Sequence, residues 1–324
     1  MTNHVKALGK RQNSNRQKVK LLIAVLAMVL LFVILMRSEK LSETIYSSLS
    51  ETAKKVIPAL FPMMVLARFM TNYGLVDFYE KISAGVVKRL FGVSRKASCA
   101  VILGFLSSFP IGAATVCELY NSGELTKEEA ENSLGPAHNT GPAFPVCVIG
   151  AAVLGSVSYG TFLYFIQIIS AVIASKLLIP KSAKQSTSVL APHGKVDCSF
   201  SSALTDAICS SAVGCLNIVA FVQFGRLLSE LVYVLLNKNS IALLLTASVI
   251  EFSSGSVLSA DAGGIMGLTL CSFSICFGGM TSLLQASSYT SKARLSIKKC
   301  FIFKLLQGIL SSLLSFLVFF LKFW

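Results

Sequence analysis

The sequence predicts an all-α polytopic membrane protein with about seven transmembrane helices, two re-entrant or broken segments and an inverted-topology repeat. Three observations carry that prediction. Of 324 residues, 54% are hydrophobic and only 14% charged, with a mean hydropathy of +0.71, whereas a soluble domain carries about 25% charge. The apolar residues fall into runs long enough to cross a bilayer, and the cations behind the net charge of +14 collect between them, as the positive-inside rule requires. Two runs in corresponding halves are interrupted, at Gly104–Ala114 and at Glu251–Ser256, and paired interruptions are the sequence signature of a transporter's central site.

The elements follow in order. Residues 1–20 hold Lys6, Lys10, Arg11, Arg16, Lys18 and Lys20 and no acid, so they form a basic cytoplasmic tail. Residues 21–37 are a first transmembrane anchor: Leu21–Met36 is followed by Arg37-Ser38-Glu39-Lys40 and no small-residue cleavage site, which excludes a signal peptide. A first repeat covers 38–180. It begins with an amphipathic stretch, 41–55, and a proline-kinked span from Val56 past Met70 with Pro58, Pro62 and Arg68. Lys81, Lys88, Arg89, Arg95 and Lys96 then mark a cytoplasmic loop.

The run 97–120 is read as a span broken at Ser107, Ser108, Pro110 and Gly112. Pro110 lacks a backbone donor and clashes with the preceding turn, and carbonyls freed that way need protein or water as partners. Residues 121–135 carry Glu124, Glu128, Glu129 and Glu131 against Lys127 alone and are expected on the outer face. Within them Thr126-Lys127-Glu128-Glu129 is a capping box, so a short helix starts there and stops at Gly135-Pro136. The segment 137–155, with Asn139, Thr140, Gly141 and Pro142, is expected to re-enter, and Thr161–Leu178 closes the repeat as a full span. Lys181, Lys184 and Lys195 make 181–200 a cytoplasmic linker.

The second repeat, 201–324, has the same order of features. A polar span over 203–236 carries Asp206, Asn217 and Gln223. The run 241–260 is broken at Glu251, Ser253, Ser254 and Gly255. A glycine-rich stretch, 263–287, with Gly278, Gly279 and Gln285, is the counterpart of 137–155. A loop with Lys292, Arg294, Lys298 and Lys299 and the span Phe301–Leu321 complete it.

Function classes narrow quickly. There is no Gly-x-Ser-x-Gly, His-Glu-x-x-His or phosphate-cradling loop, and the three histidines lie outside the apolar runs, so no catalytic residues, cofactor or metal site are assigned. The nine cysteines show no Cys-x-x-Cys spacing and read as small hydrophobes. Basic–aromatic interleaving is absent outside the apolar runs, so lipid headgroups rather than nucleic acid are the partners of the positive charge. Glu251 is an acid inside a strongly apolar run, and intramembrane carboxylates mark functional sites by default. With the hydroxyls of Ser253, Ser254 and Ser256 it is expected to hold a proton, a sodium ion or a polar solute group, the competing reading being a structural hydrogen bond to Asn217 or Gln285. His138 is expected to be solvated.

The motifs Gly104-Phe105-Leu106-Ser107-Ser108-Phe109-Pro110-Ile111-Gly112-Ala113, Glu118-Leu119-Tyr120, Asn139-Thr140-Gly141-Pro142-Ala143-Phe144, Glu251-Phe252-Ser253-Ser254-Gly255 and Phe277-Gly278-Gly279 with Gln285 resemble the sporulation integral membrane protein YlbJ family, itself similar to nucleoside recognition (Gate) domain proteins. The likeness covers about residues 55–320 and departs from the family pattern at Ser108 and His138. It implies a protein of the bacterial cytoplasmic membrane in a spore former or a relative, with no substrate implied. The expected function is a secondary transporter or permease for a small polar solute, nucleoside-like or another metabolite, coupled to H+ or Na+. The alternative is a non-transporting assembly factor of spore formation. A homo-oligomer or another membrane protein stands open as a partner.

Overall fold

The computed structural model describes residues 2–74, 76–180, 199–235 and 240–322, and every described regular element is helical. The linker expected at 181–200 therefore lies almost wholly outside the described residues. Two units separate, Met1–Ser47 and Ser48–Trp324. The first holds α1 (Thr2–Met36) and most of α2 (Ser38–Glu51). Leu21, Met28, Phe32 and Leu35 on α1 are all more than half exposed, as side chains facing lipid are.

The second unit begins with a π-helical turn, Thr52–Val56, and α3 (Ile57–Asn72), which carries Pro62. After α4 (Val76–Phe91) come α5 (Ser98–Leu106) and α6 (Ile111–Asn121). These two do not form one crossing. A Cβ on Gly112 would lie 2.9 Å from the Gly104 Cα, whereas eight residues of continuous helix separate two Cα atoms by about 12 Å. The chain therefore doubles back at Ser107–Pro110. Glycine permits the close approach of the two arms and lets both rest on the Ala137 carbonyl, to which added Cβ atoms would come within 2.0 and 1.9 Å. The second interruption behaves alike. Between α10 (Ser240–Ile250) and α11 (Phe252–Ala262), a Cβ on Gly255 would sit 2.5 Å from the Ser248 Cα, against about 10 Å along an unbroken helix.

The segments expected to re-enter instead run through. The helix α7 (Lys127–Ala137) starts at the expected capping box: Glu129 N–H donates to the Thr126 hydroxyl at 3.2 Å, and Thr126 N–H donates to the Glu129 carboxylate at 2.9 Å. It breaks at 138–142 and resumes as a π-helix, Ala143–Val153, before α8 (Val157–Leu178). This broken rod follows the whole of α8 in the opposite direction. Glu131 and Gly135 adjoin Ile179 and Pro180 at one end, the Thr140 carbonyl accepts from Gln167 at mid-length, and Gly150 meets Gly160 at the other end. In the second half α12 (Gly264–Phe277) and α13 (Gly279–Lys292) likewise follow α14 (Lys298–Lys322) antiparallel. Ser272 bonds to Ser311 at the α12 side, and Leu283 and Leu284 adjoin Ile297 and Phe301 at the other. Gly278 and Gly279, at φ 84 and 73, make the break, a backbone region costly for any residue with a Cβ.

The interruptions at Ser107–Pro110 and Glu251 thus turn the chain back, and the face of one loop changes with the first of them. Because α5 and α6 return to the side they started from, residues 121–135 lie beside the basic loops and not opposite them. Glu124 pairs with Lys96 at 3.1 Å, Ser296 N–H donates to Glu131 at 3.0 Å, and Lys299 donates to Asn132 at 2.8 Å. Lys176 reaches the Arg89 carbonyl at the same end. Glu124 there neutralises a local cation, and Glu131 ties the loop to the backbone at Ser296.

The long α9 (Phe200–Leu235) packs antiparallel on α3, with Asn72 donating to the Ala203 carbonyl and Gly214 against Met64. Among the described residues four helical stretches are long and apolar enough to cross a membrane: Val157–Leu178, Phe200–Leu235, Gly264–Lys292 and Lys298–Leu321, or five when a bent pair counts as one. That is fewer than the seven expected, because α3 has only 16 residues and the rod 127–153 is polar in its first half.

Candidate functional site

The two hairpin tips and the two breaks meet at one place, halfway along α8 and α14. Ser108, at φ 142 and buried, lies 3.4 Å from the Thr140 hydroxyl. Gly141 packs on the carbonyls of Leu106 and Ser107. From the other side Gly279 packs on Glu251 and Phe252, and the Phe109 ring lies against Gly278. Phe252 stands between Phe109 and Phe144, with ring centroids 5.1 and 4.9 Å away. Aromatic edges and faces at these distances attract beyond their burial, so the tips are held together by a dry aromatic plug.

Glu251 is buried, and both carboxylate oxygens are engaged. Oε1 accepts from Ser253 N–H at 2.9 Å and Oε2 from Ser254 N–H at 2.6 Å, capping α11. A carboxylate at a helix N-terminus satisfies free donors and meets the positive end of the helix dipole. Only glycine fits opposite it: a Cβ on Gly225 of α9 would lie 2.4 Å from the Glu251 Cβ. The competing reading, a hydrogen bond to Asn217 or Gln285, is not what the carboxylate makes.

Asn139 anchors a network that spans three elements. Its Oδ1 accepts from Lys304 Nζ at 3.1 Å and from Gln307 Nε2 at 2.9 Å, while its Nδ2 donates to the Pro136 carbonyl at 2.8 Å. Lys304 also donates to Gln307 Oε1 at 2.7 Å, and Gln307 to the Gln167 carbonyl at 3.2 Å. Lys304, Gln307 and Gln167 are each fully buried. His138 is buried as well and not solvated, because the break that holds it packs between α8 and α14. Its Nε2 lies 3.2 Å from the Ser282 hydroxyl and its ring 4.5 Å from Phe109, and its Nδ1 has no hydrogen-bond partner.

The other expected residues separate by role. Gly112 and Gly255 are close-approach positions within the hairpins, and the Ser107 hydroxyl turns back to the Leu103 carbonyl. Pro142 opens the π-helix. Pro110 and Gln285 line a cavity of about 420 Å³ together with Arg68, Asn217, Ser288 and Tyr289. Arg68 Nε is buried there without a hydrogen-bond partner. The cavity lies on the basic-end side of the tips, since Gln285–Tyr289 run from the Gly278 break towards Lys292. Ser253 and Ser254 face a smaller cavity of about 40 Å³ beyond the tips, beside Arg226 and Val148. Among the described residues no group of three or more His, Cys, Asp or Glu could hold a metal ion.

Sequence reasoning missed Lys304, Gln307 and Gln167. The signal existed, for each is a long polar side chain inside an apolar run, and the argument applied to Glu251 applies to them equally. Lys304, Gln307 and Ser311 even share one helix face by their spacing.

The Gate family, described as "Nucleoside recognition", matches residues 53–269, which holds the first hairpin, the first broken rod and the second hairpin. The sporulation integral membrane protein YlbJ of Bacillus subtilis (strain 168) is 22% identical over 342 residues, covering 92% of this chain and 82% of that protein. No solved structure matches. The family match takes in about two thirds of the chain, and the protein belongs to the Gate (nucleoside recognition) family.

Proposed function

We propose that the protein is a secondary transporter or permease for a small polar solute, built from two repeats inverted across the membrane and holding about seven crossings. One observation carries the reading: a cavity of about 420 Å³ lies on the basic side of the tips and breaks, and one of about 40 Å³ on the other. By the positive-inside rule the basic side is cytoplasmic, so the larger cavity is read as the inward-facing one of an alternating-access protein. The antiparallel course of α8 and α14, with Phe162 at Phe319 and Gln167 at Gln307, is what inverted repeats would give. The solute site is read at the floor of the larger cavity, with Asn217 and Gln285 as ligands and Pro110 as the closing tip. The description of the family favours a nucleoside-like solute. The relative's name favours a place in sporulation, and the basic residues 1–20 favour an N-terminus on the inner side of a bacterial cytoplasmic membrane.

The test is a melting-curve screen of the detergent-purified protein against nucleosides, nucleobases and small carboxylates. A solute present at about one hundred times its Kd stabilises by roughly 2.7 kcal/mol. A shift that Gln285→Leu removes, with the unliganded melting temperature kept, identifies the solute class. A shift that survives both Gln285→Leu and Asn217→Leu sinks this placement of the site, and no shift with any solute favours the assembly-factor reading.

A further inference from the structure

The described residues place no carboxylate at ion-pair distance from Lys304, although that side chain is fully buried in the first half of α14. A buried charge is tolerated only when its surroundings supply compensating dipoles. Here they do. The α7 C-terminus ends at the 138–142 break and the α5 C-terminus ends at Ser107, beneath Gly141. Helix C-termini carry partial negative charge. The ammonium sits on two neutral oxygens, Asn139 Oδ1 at 3.1 Å and Gln307 Oε1 at 2.7 Å, with the Phe109 ring centroid 5.6 Å from Nζ. Amide oxygens, half-helix C-termini and an aromatic face are the surroundings that interrupted membrane helices offer a monovalent cation.

We infer that Lys304 is a tethered cation: its ammonium fills, as part of the chain, the place at the first break where a diffusible monovalent ion would otherwise bind. It ties the first hairpin tip to the first break and to α14, without any ion to be loaded or released. The consequence is a central site whose assembly is independent of sodium. The inference goes beyond the permease reading and stands without it, because it is tested by ion binding and not by flux.

The experiment compares melting temperatures of the full-length purified protein in sodium, potassium and choline chloride at equal ionic strength. Wild type is expected to melt at the same temperature in all three. Lys304→Ala leaves Asn139 and Gln307 around an ammonium-sized gap, so it is expected to melt lower in choline and to be raised saturably by sodium or methylammonium. Lys304→Met fills the gap without charge and is expected to respond to neither. A saturable rise of wild type in sodium over choline overturns the inference. So does a Lys304→Ala protein that no cation raises.

Discussion

At the scale of single residues, Glu251 shows how a membrane carboxylate can be wholly occupied by the backbone. Both oxygens accept N–H bonds from the first turn of α11, so Glu251→Gln turns one acceptor into a donor aimed at another donor. The geometry predicts a loss of about 0.5–2 kcal/mol, the usual range for a lost N-cap, with Glu251→Ala at least as costly. Equilibrium unfolding in detergent reads this directly, and an unchanged midpoint for both variants would remove the cap from the account.

The hairpins, at the scale of elements, depend on glycine for a steric reason. Gly104 and Gly112 bring two helix arms onto the Ala137 carbonyl, a contact with rigid backbone that cannot yield as a side-chain tip does. Gly112→Ala therefore has to displace either the hairpin or the end of α7. A loss of about 1–3 kcal/mol is expected, as for overpacking in a close-packed interior. Gly85, with nothing within 4 Å of an added Cβ, is the control: Gly85→Ala is expected to be neutral or slightly stabilising, since alanine favours helix. Equal effects at both positions, measured by thermal melting, would show that the hairpin arms are not in contact.

For the whole molecule the prediction concerns sidedness. Residues 96, 124, 131, 180 and 296 gather at one end, and positive charge assigns that end to the cytoplasm. Single cysteines introduced at 126 and 294 in a cysteine-free background are expected to label from the same, inner side of oriented vesicles. Labelling from opposite sides would restore a crossing at 97–120 and undo the hairpin.

Much of this was legible in the sequence. Composition and hydropathy settled the membrane class, because lipid admits only helices and closed barrels and the apolar runs here have the length of helices. The capping box placed the start of α7 to the residue, since its two hydrogen bonds are local. Ser107–Pro110, Asn139–Pro142, Glu251 and Gly278–Gly279 all stood out as interruptions, and all four lie at the centre. What the sequence could not decide was direction. An interruption removes the same local hydrogen bonds whether the chain then continues or turns back, and that choice depends on what the next segment packs against. The Ala137 carbonyl decided it for the first hairpin and the Ser248 backbone for the second. Lys304, too, acquired its meaning only from tertiary structure. Its position in α14 is plain in the sequence, but the oxygens that hold it come from a break 165 residues earlier and from its own next turn.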